Sequence, residues 1–398
     1  MKDKTIIPLL AGLLAGLLLA SAIPAAFIGF GGLRSVLKYA NVLRVIRTEF
    51  VADYDMAEVN DTAMEGAIEG LGDRWSYYMD AETYDAYKDY ASNRYQGIGV
   101  TVQKDEATGG FLITAVNRDG PAMTAGLVPG DVILAVDGQD VTGGDTSDLR
   151  ALIQADYGQN ALVTVLHEDG TTEADIPVSC EAIYSTPVEY SLLADGVTGY
   201  VVISNFRDGA GRDAVAAVEE LLSRGAEQLV FDVRNNPGGQ LTELIELLDY
   251  LLPEGEIFIR SDKAGREQID YSDEACVELP MAVIVNGESY SAAEFFAAAL
   301  REYDWATVVG EATTGKSRSQ ITVVLADGSA VHLSHYRYLT PDRVDLYEAG
   351  GLTPDVELAL TEEERQEFDT GWLEPEDDPQ VQAAVEALED AKFDGRSA

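Results

Sequence analysis

Two serines, Ser289 and Ser291, lie in the turn Gly287-Glu288-Ser289-Tyr290-Ser291, after the apolar run Met281–Val285 and before the helix-forming run Ala292–Leu300. A hydroxyl where a strand gives way to a helix stands at the edge of the sheet, beside the unpaired N–H groups of the helix N-terminus. Donors of that kind suit the negative oxygen of a tetrahedral intermediate, at about 3–4 kcal/mol per donor. The Ala292 N–H is one candidate donor. The Gly238-Gly239 turn is another, because missing side chains let backbone approach a substrate closely. Ordinary helix N-capping accounts for a serine at position 291 as well. A nucleophilic serine needs a base, and the three histidines, His167, His332 and His335, leave little material for one. Ser289 falls one residue short of a G-x-S-x-G elbow because the last position is Ser291. A Ser-His hydrolase using His332 or His335 is therefore the weaker alternative. Lys316 can serve if it is neutral at the moment of attack. Free lysine titrates near about 10.4, so its amine has to be desolvated to work near neutrality. An apolar pocket, away from carboxylates, is expected around it.

Two other patterns imitate known chemistry. Gly310-Glu311-Ala312-Thr313-Thr314-Gly315-Lys316-Ser317 satisfies G-x-x-x-x-G-K-[ST], but a P-loop must lead at once into a helix that holds the phosphates. The run Gln320-Ile321-Thr322-Val323-Val324-Leu325 comes next instead, a β-branched strand pattern, so nucleotide binding is not expected. Ser35-Val36-Leu37-Lys38 matches S-x-x-K without its partner motifs.

The elements that would position these groups can be read from periodicity. Residues 32–92 read as helical, with Leu43, Ile46 and Phe50 spaced for one face. GIGVTVQ, GFLITAV, GDVILAVDG and ALVTVLHEDG then form short alternating strands bounded by Gly and Asp. One helix, capped by Asp145 and running through Leu149–Ile153, interrupts them. From residue 198 strands and helices alternate: GYVVISNF before Ala214–Ser223, LVFDVR before Leu241–Leu251, and MAVIV before Ala292–Leu300. Repeated βα units of this kind indicate a mixed α/β layer fold. Residues 361–398 hold 13 acids against 3 bases, which suggests a short amphipathic helix near Val381–Leu388 and a solvated end.

Composition limits the function further. The chain has 398 residues with 27 Lys+Arg against 70 Asp+Glu, a formal charge of −43. A surface this negative repels phosphate backbones, so a nucleic-acid partner is not expected. Two cysteines, Cys180 and Cys276, exclude a disulfide scaffold or a Cys-rich zinc module, and no metal or cofactor is called for. Whether they pair is left open. Ile6–Phe30 is 25 residues without a charge, long enough to cross a bilayer core of about 30 Å. It reads as a signal anchor or, cut after Ala20-Ser21-Ala22, as a signal peptide. Lys2 and Lys4 precede it, whereas Arg34, Lys38, Arg44 and Arg47 come after it, an asymmetry that argues against an external body. Only function argues for the outside.

Gly97-Ile98-Gly99-Val100, with Gly120-Pro121-Ala122, Ala125-Gly126-Leu127 and Gly130-Asp131-Val132-Ile133-Leu134-Ala135-Val136-Asp137-Gly138, resembles a PDZ domain. The resemblance implies that Gly97, Ile98, Gly99 and Val100 form the loop receiving a peptide's C-terminal carboxylate, the peptide adding as a strand. Asp232-Val233-Arg234-Asn235-Asn236-Pro237-Gly238-Gly239, Val285-Asn286-Gly287-Glu288-Ser289-Tyr290-Ser291-Ala292-Ala293-Glu294 and Gly310-Glu311-Ala312-Thr313-Thr314-Gly315-Lys316 resemble the C-terminal processing peptidases. The helical lead-in GAIEGLGDRWSYYMD and the late GGLTPDVEL fit the same family, so the likeness covers almost everything after residue 35. The chain departs from it at Tyr290, Ala293 and Ser317, where the family usually has Ala, Ser and Gly.

That resemblance implies a serine protease with a Ser-Lys dyad on a ClpP/crotonase-like core and an inserted PDZ domain. The implied organisation is an N-terminal membrane segment (1–31), a helical lead-in (32–92), a PDZ domain (93–180), a peptidase core (181–360) and an acidic tail (361–398). Ser291 would be the nucleophile, Lys316 the base and Gln320 the group that orients the lysine. Gly238, Gly239 and Ala292 would form the oxyanion hole, with Glu294 and Thr313 supporting the site. Gln320 as a solvated strand residue, and Glu294 and Thr313 as capping and turn residues, are the plainer readings. The expected activity is cleavage of polypeptides near their C-termini on the extracytoplasmic side of a membrane, with a homo-oligomer allowed. A PDZ scaffold with an inactive core is the alternative.

Overall fold

The computed structural model describes residues 32–117, 120–155 and 157–393. The apolar run Ile6–Phe30 lies outside them. Among the described residues no helix is long and apolar enough to cross a membrane. The chain divides after Met64 into two compact units. The first contributes the helix 32–49, and the division falls within the helix Met56–Glu69.

The second unit is organised by a six-stranded sheet. Its spatial order is Val188–Leu192, Thr198–Ile203, Gln228–Asp232, Met281–Val285, Ala306–Gly310 and Val356–Glu357. Only the first pair is antiparallel; the others run parallel. The central strands Gln228–Asp232 and Met281–Val285 are buried along their whole length, as strands in a parallel sheet covered on both faces should be. The helices Ala210–Ser223, Leu241–Leu251 and Ala292–Glu302 cover one face, where Phe206, Phe231, Phe258, Phe295 and Phe296 fill a single core. On the other face Val381, Ala384 and Leu388 of the helix Pro379–Phe393 pack on Tyr200, Val230, Ala282, Ile284 and Val309.

That last contact departs from the expectation of a solvated acidic end. Residues 361–398 include the helices Glu362–Thr370 and Pro379–Phe393, and the second is longer than the short helix expected near Val381–Leu388. Acids dominate the composition, yet they leave a narrow stripe of Val, Ala and Leu at i, i+3 and i+7 spacing that seals the sheet. Arg234, with 5% of its surface exposed, pairs with Asp232 and with Asp378 at 2.7 Å and receives the ring of Phe368 at 4.1 Å.

A second sheet holds Tyr77–Met79, Ala330–Leu339, Gly255–Ser261 and Glu267–Ser272, with Arg318–Val324 paired to Ala330–Leu339. Residues 98–180 form a separate β domain with its own core around Phe111, Ile113, Ile133 and Val163. Its sheet runs Val100–Lys104, Phe111–Val116, Val132–Val136, Asn160–Leu166 and Thr172–Ser179, with the helix Thr146–Ala155 alongside. Entry and exit are paired as an antiparallel ribbon, Arg94–Gly97 against Glu181–Tyr184. Cys180 is buried at that exit and Cys276 is half-buried; the two form no disulfide.

Candidate active site

Three neighbouring parallel strands deliver the candidate residues from their C-terminal ends. Gln228–Asp232 leads to Gly238-Gly239, Met281–Val285 to Ser291, and Ala306–Gly310 to Lys316. Loops at this end of a parallel sheet converge on one crevice. Cross-bonds fix them to one another. The Asn235 N–H donates to Asn286 Oδ1 at 3.0 Å while the Asn286 amide donates to Asn235 Oδ1 at 2.8 Å. The Tyr290 N–H donates to the Asn236 carbonyl at 3.1 Å, and the Thr314 hydroxyl to the Gly287 carbonyl at 2.6 Å.

The two serines of the turn have different fates. Ser289 is fully buried, its hydroxyl donating to the Val233 carbonyl at 2.7 Å and accepting the Asn286 N–H at 3.0 Å. It is a staple between strand ends, and its hydroxyl is spent. Ser291 has φ 58° and ψ −123°, at the first step into the helix Ala292–Glu302. A non-glycine residue at positive φ costs about 1–3 kcal/mol and persists only where its surroundings hold it. Here the Ser291 N–H is held by Glu294 Oε2 at 2.8 Å.

Glu294 ties the site together. Its carboxylate is fully buried and accepts from the N–H groups of Ser291, Gly315 and Lys316 and from the Thr313 hydroxyl, at 2.8, 2.6, 2.8 and 2.5 Å. Thr313 in turn accepts the Leu352 N–H at 2.8 Å. One carboxylate thus fixes the backbone of both Ser291 and Lys316. The expectation that Lys316 stands clear of carboxylates therefore needs correction: Glu294 and Asp73 both act on it. The four donors keep Glu294 ionised, so its charge opposes the effect of burial on Lys316.

The Lys316 side chain is half-buried, its Nζ 4.2 Å from the centre of the Trp75 ring and 5.4 Å from that of Tyr290. Burial lowers its pKa to about 8, with Glu294 opposing, Arg74 assisting and Asp73 opposing. Among the hydrogen bonds of the described residues, none joins Nζ to the Ser291 hydroxyl. After Lys316 the chain enters the strand Arg318–Val324, so the helix a P-loop requires is absent at that point.

The glycine turn meets Ser291 closely. A Cβ on Gly238, at φ +80°, would stand 2.8 Å from the Ala292 nitrogen, the Ser291 Cβ and the Tyr290 oxygen. The Gly238 N–H itself donates to Asn236 Oδ1 at 2.8 Å, so that donor is occupied within its own turn. Gly239 is held against Phe206 by an isolated bridge whose bonds use the Phe206 N–H and carbonyl, leaving the Gly239 N–H outside the pairing. The Ala292 N–H, first in its helix, has no acceptor among the described residues. Among the described residues, the N–H groups of Ala292 and Gly239 are thus left without an acceptor.

Gln320 lies on the strand after Lys316, its amide donating to the Arg318 carbonyl at 2.7 Å and toward Ser334 Oγ at 3.5 Å. His332 is stacked on Tyr77, its Nδ1 2.8 Å from the Thr322 hydroxyl, and burial together with the Lys316 charge lowers its pKa to about 4. His335 is exposed beside Tyr336. In the inserted domain Gly97 ends the ribbon, Ile98 is buried, Gly99 has φ +85°, and Val100 opens the sheet's edge strand. The outer side of that strand is unpaired among the described residues, which leaves room for an added strand. Sequence reasoning missed Trp75 as a neighbour of Lys316, along with the bracing of Asn235 against Asn286.

A family model of peptidase family S41 matches residues 197–358, and a PDZ domain model matches residues 112–166. The chain is 29% identical over 325 residues to the "Probable CtpA-like serine protease" of Staphylococcus aureus (strain COL), covering 81% of this chain and 64% of that one. Its counterpart in Staphylococcus haemolyticus (strain JCSC1435) is 28% identical over 330 residues, covering 82% and 65%. This chain therefore spans somewhat less than two thirds of the length of these relatives. A solved structure from Bacteroides fragilis NCTC 9343, assigned to the S41 proteases, has the same fold: its TM-score is 0.54 at 17% identity, over 86% of this chain and 92% of that one. The chain thus carries a domain of peptidase family S41, residues 197–358, together with a PDZ domain, and is a relative of the CtpA-like serine proteases.

Proposed function

We propose that this chain is a serine endopeptidase that cleaves polypeptides near their C-termini, with Ser291 as nucleophile and Lys316 as base. The observation that carries this reading is the Glu294 carboxylate, which holds the Ser291 and Lys316 backbones on one anchor. The neutral Lys316 amine takes the proton from Ser291 Oγ as that oxygen attacks the scissile carbonyl. The ammonium then gives the proton to the leaving amine as the C–N bond breaks, and water hydrolyses the acyl-enzyme by the same route. For this the Lys316 side chain swings from the Trp75 face toward Ser291. The Ala292 and Gly239 N–H groups receive the oxyanion, and Gly238 joins them if its turn exchanges Asn236 for substrate. Gln320 orients the lysine. The PDZ domain recruits the substrate's C-terminus along the edge strand that begins at Val100. The apolar run Ile6–Phe30 delivers the body across a membrane, as an anchor or as a cleaved signal.

Cleavage of an unstructured peptide, read by mass spectrometry, tests the dyad. Ser291→Ala and Lys316→Ala should each lower the rate by about 10³-fold or more while the circular dichroism spectrum is unchanged; activity retained in either variant would sink the dyad. Labelling of Ser291 by a fluorophosphonate separates the enzyme from an inactive scaffold, which would bind peptide tightly and stay unlabelled.

A further inference from the structure

The base of this site is covered by a residue from far away in the chain. Trp75 lies in the turn Asp73–Ser76, ahead of the strand Tyr77–Met79. The turn is rigidly placed. The Trp75 N–H and the Ser76 hydroxyl both donate to the Asp73 carboxylate, at 3.3 and 2.5 Å. Ser76 Oγ accepts the Ser334 N–H at 3.0 Å, and Tyr77 stands in register with His332 across the sheet. The indole is thereby fixed with Lys316 Nζ 4.2 Å from its centre, while Tyr290 supplies a second ring at 5.4 Å. The two rings are themselves 5.8 Å apart, with their planes inclined by 35°.

An aromatic face attracts a cation through its quadrupole and has no comparable hold on a neutral amine. The arrangement therefore discriminates between the two protonation states of the lysine. Resting on the Ser-Lys reading above, we propose that Trp75, with Tyr290, is a positioning residue: the rings hold the Lys316 ammonium in a slot beside the nucleophile, and the amine leaves for Ser291 only when uncharged. The charged groups acting on Nζ are Glu294 from the helix Ala292–Glu302 and Asp73 and Arg74 from the turn; His332 on the strand Ala330–Leu339 feels the Lys316 charge, its own pKa lowered to about 4. Glu294 and Asp73 favour the ammonium in either state of Trp75, and Arg74 opposes it. Arg74 also lies with Cζ 4.3 Å from the centre of the Trp75 ring, competing for the same indole.

Trp75→Leu keeps apolar cover over the lysine and removes the quadrupole; Trp75→Phe keeps a weaker one. The direct test is the pH dependence of Lys316 acetylation by acetic anhydride, read by mass spectrometry in the full chain carrying Ser291→Ala. The midpoint should move to lower pH by about half a unit to one unit in Trp75→Leu, and by less in Trp75→Phe. In chains with Ser291 intact, the pH midpoint of fluorophosphonate labelling should move in the same direction by the same amount. A midpoint unmoved in Trp75→Leu overturns the slot, and one displaced to higher pH shows the ring acting by water exclusion alone and overturns it too. If Lys316 titrates as expected but Ser291 is never labelled, the slot stands and the Ser-Lys reading falls. A purely structural role for Trp75 would lower the unfolding midpoint and leave both pH midpoints where they were.

Discussion

Glu294 shows how much of this site rests on a residue that never needs to touch a substrate. A buried carboxylate is costly unless its oxygens are fully engaged, and here donors arrive from both the Ser291 turn and the Lys316 loop. Glu294→Gln turns part of that acceptor into a donor facing N–H groups. We expect a loss of about 3 kcal/mol of stability in urea unfolding and at least a hundredfold loss of peptide cleavage. The pH dependence belongs to the same scale. On the proposed Ser-Lys reading the working lysine is the neutral one, and burial brings the Lys316 pKa down to about 8. Cleavage should therefore rise about tenfold per pH unit below that value and level off above it, as a pH series on wild type would reveal. His332, with its pKa lowered to about 4, is neutral throughout that range. His332→Gln should leave the limb in place, whereas a Ser-His hydrolase would lose it. The motifs that carry Ser291 and Lys316 were legible in the sequence because each is local. Trp75 was not, since only the pairing of Tyr77–Met79 with Ala330–Leu339 brings it to the lysine.

At the scale of elements, the alternation of strand and helix was readable because short apolar runs, Leu229–Phe231 and Met281–Val285, mark the central strands between helical stretches. Conformation at single positions was harder to read. Gly238 could be singled out for its missing side chain, but not its contact with Ser291 Cβ and the Ala292 nitrogen, which depends on two loops meeting from neighbouring strands. Gly238→Ala places a methyl group 2.8 Å from both and imposes φ +80° on an L side chain. Fluorophosphonate labelling should fall by at least a hundredfold, and thermal unfolding should report a loss of about 1–3 kcal/mol. The Gly238 N–H also illustrates a limit of motif reading. The turn that offers this donor contains Asn236, whose side chain accepts it.

At the scale of the molecule, charge concealed structure. The net charge of −43 and the acidic bias after residue 360 suggested a solvated end, yet Val381, Ala384 and Leu388 in that stretch close one face of the six-stranded sheet. Leu388→Ala should cost about 2–5 kcal/mol, measured by urea unfolding. Asp378→Ala strands Arg234 with one carboxylate fewer and should cost about 3–5 kcal/mol.

The ribbon at the mouth of the inserted domain bears on how such a chain is assembled. Gly97 and Glu181 are register partners, so the chain leaves and re-enters the core within about one strand spacing, near 5 Å. Topologically, everything between them is the tip of a hairpin. The core can close its sheets over any tip of adequate reach, and the insert, which has a core of its own, folds on a separate account. Insert and core are thus joined through one ribbon: exchanging residues 98–180 for another module, or for a tight turn, should leave every strand of the six-stranded sheet in its register.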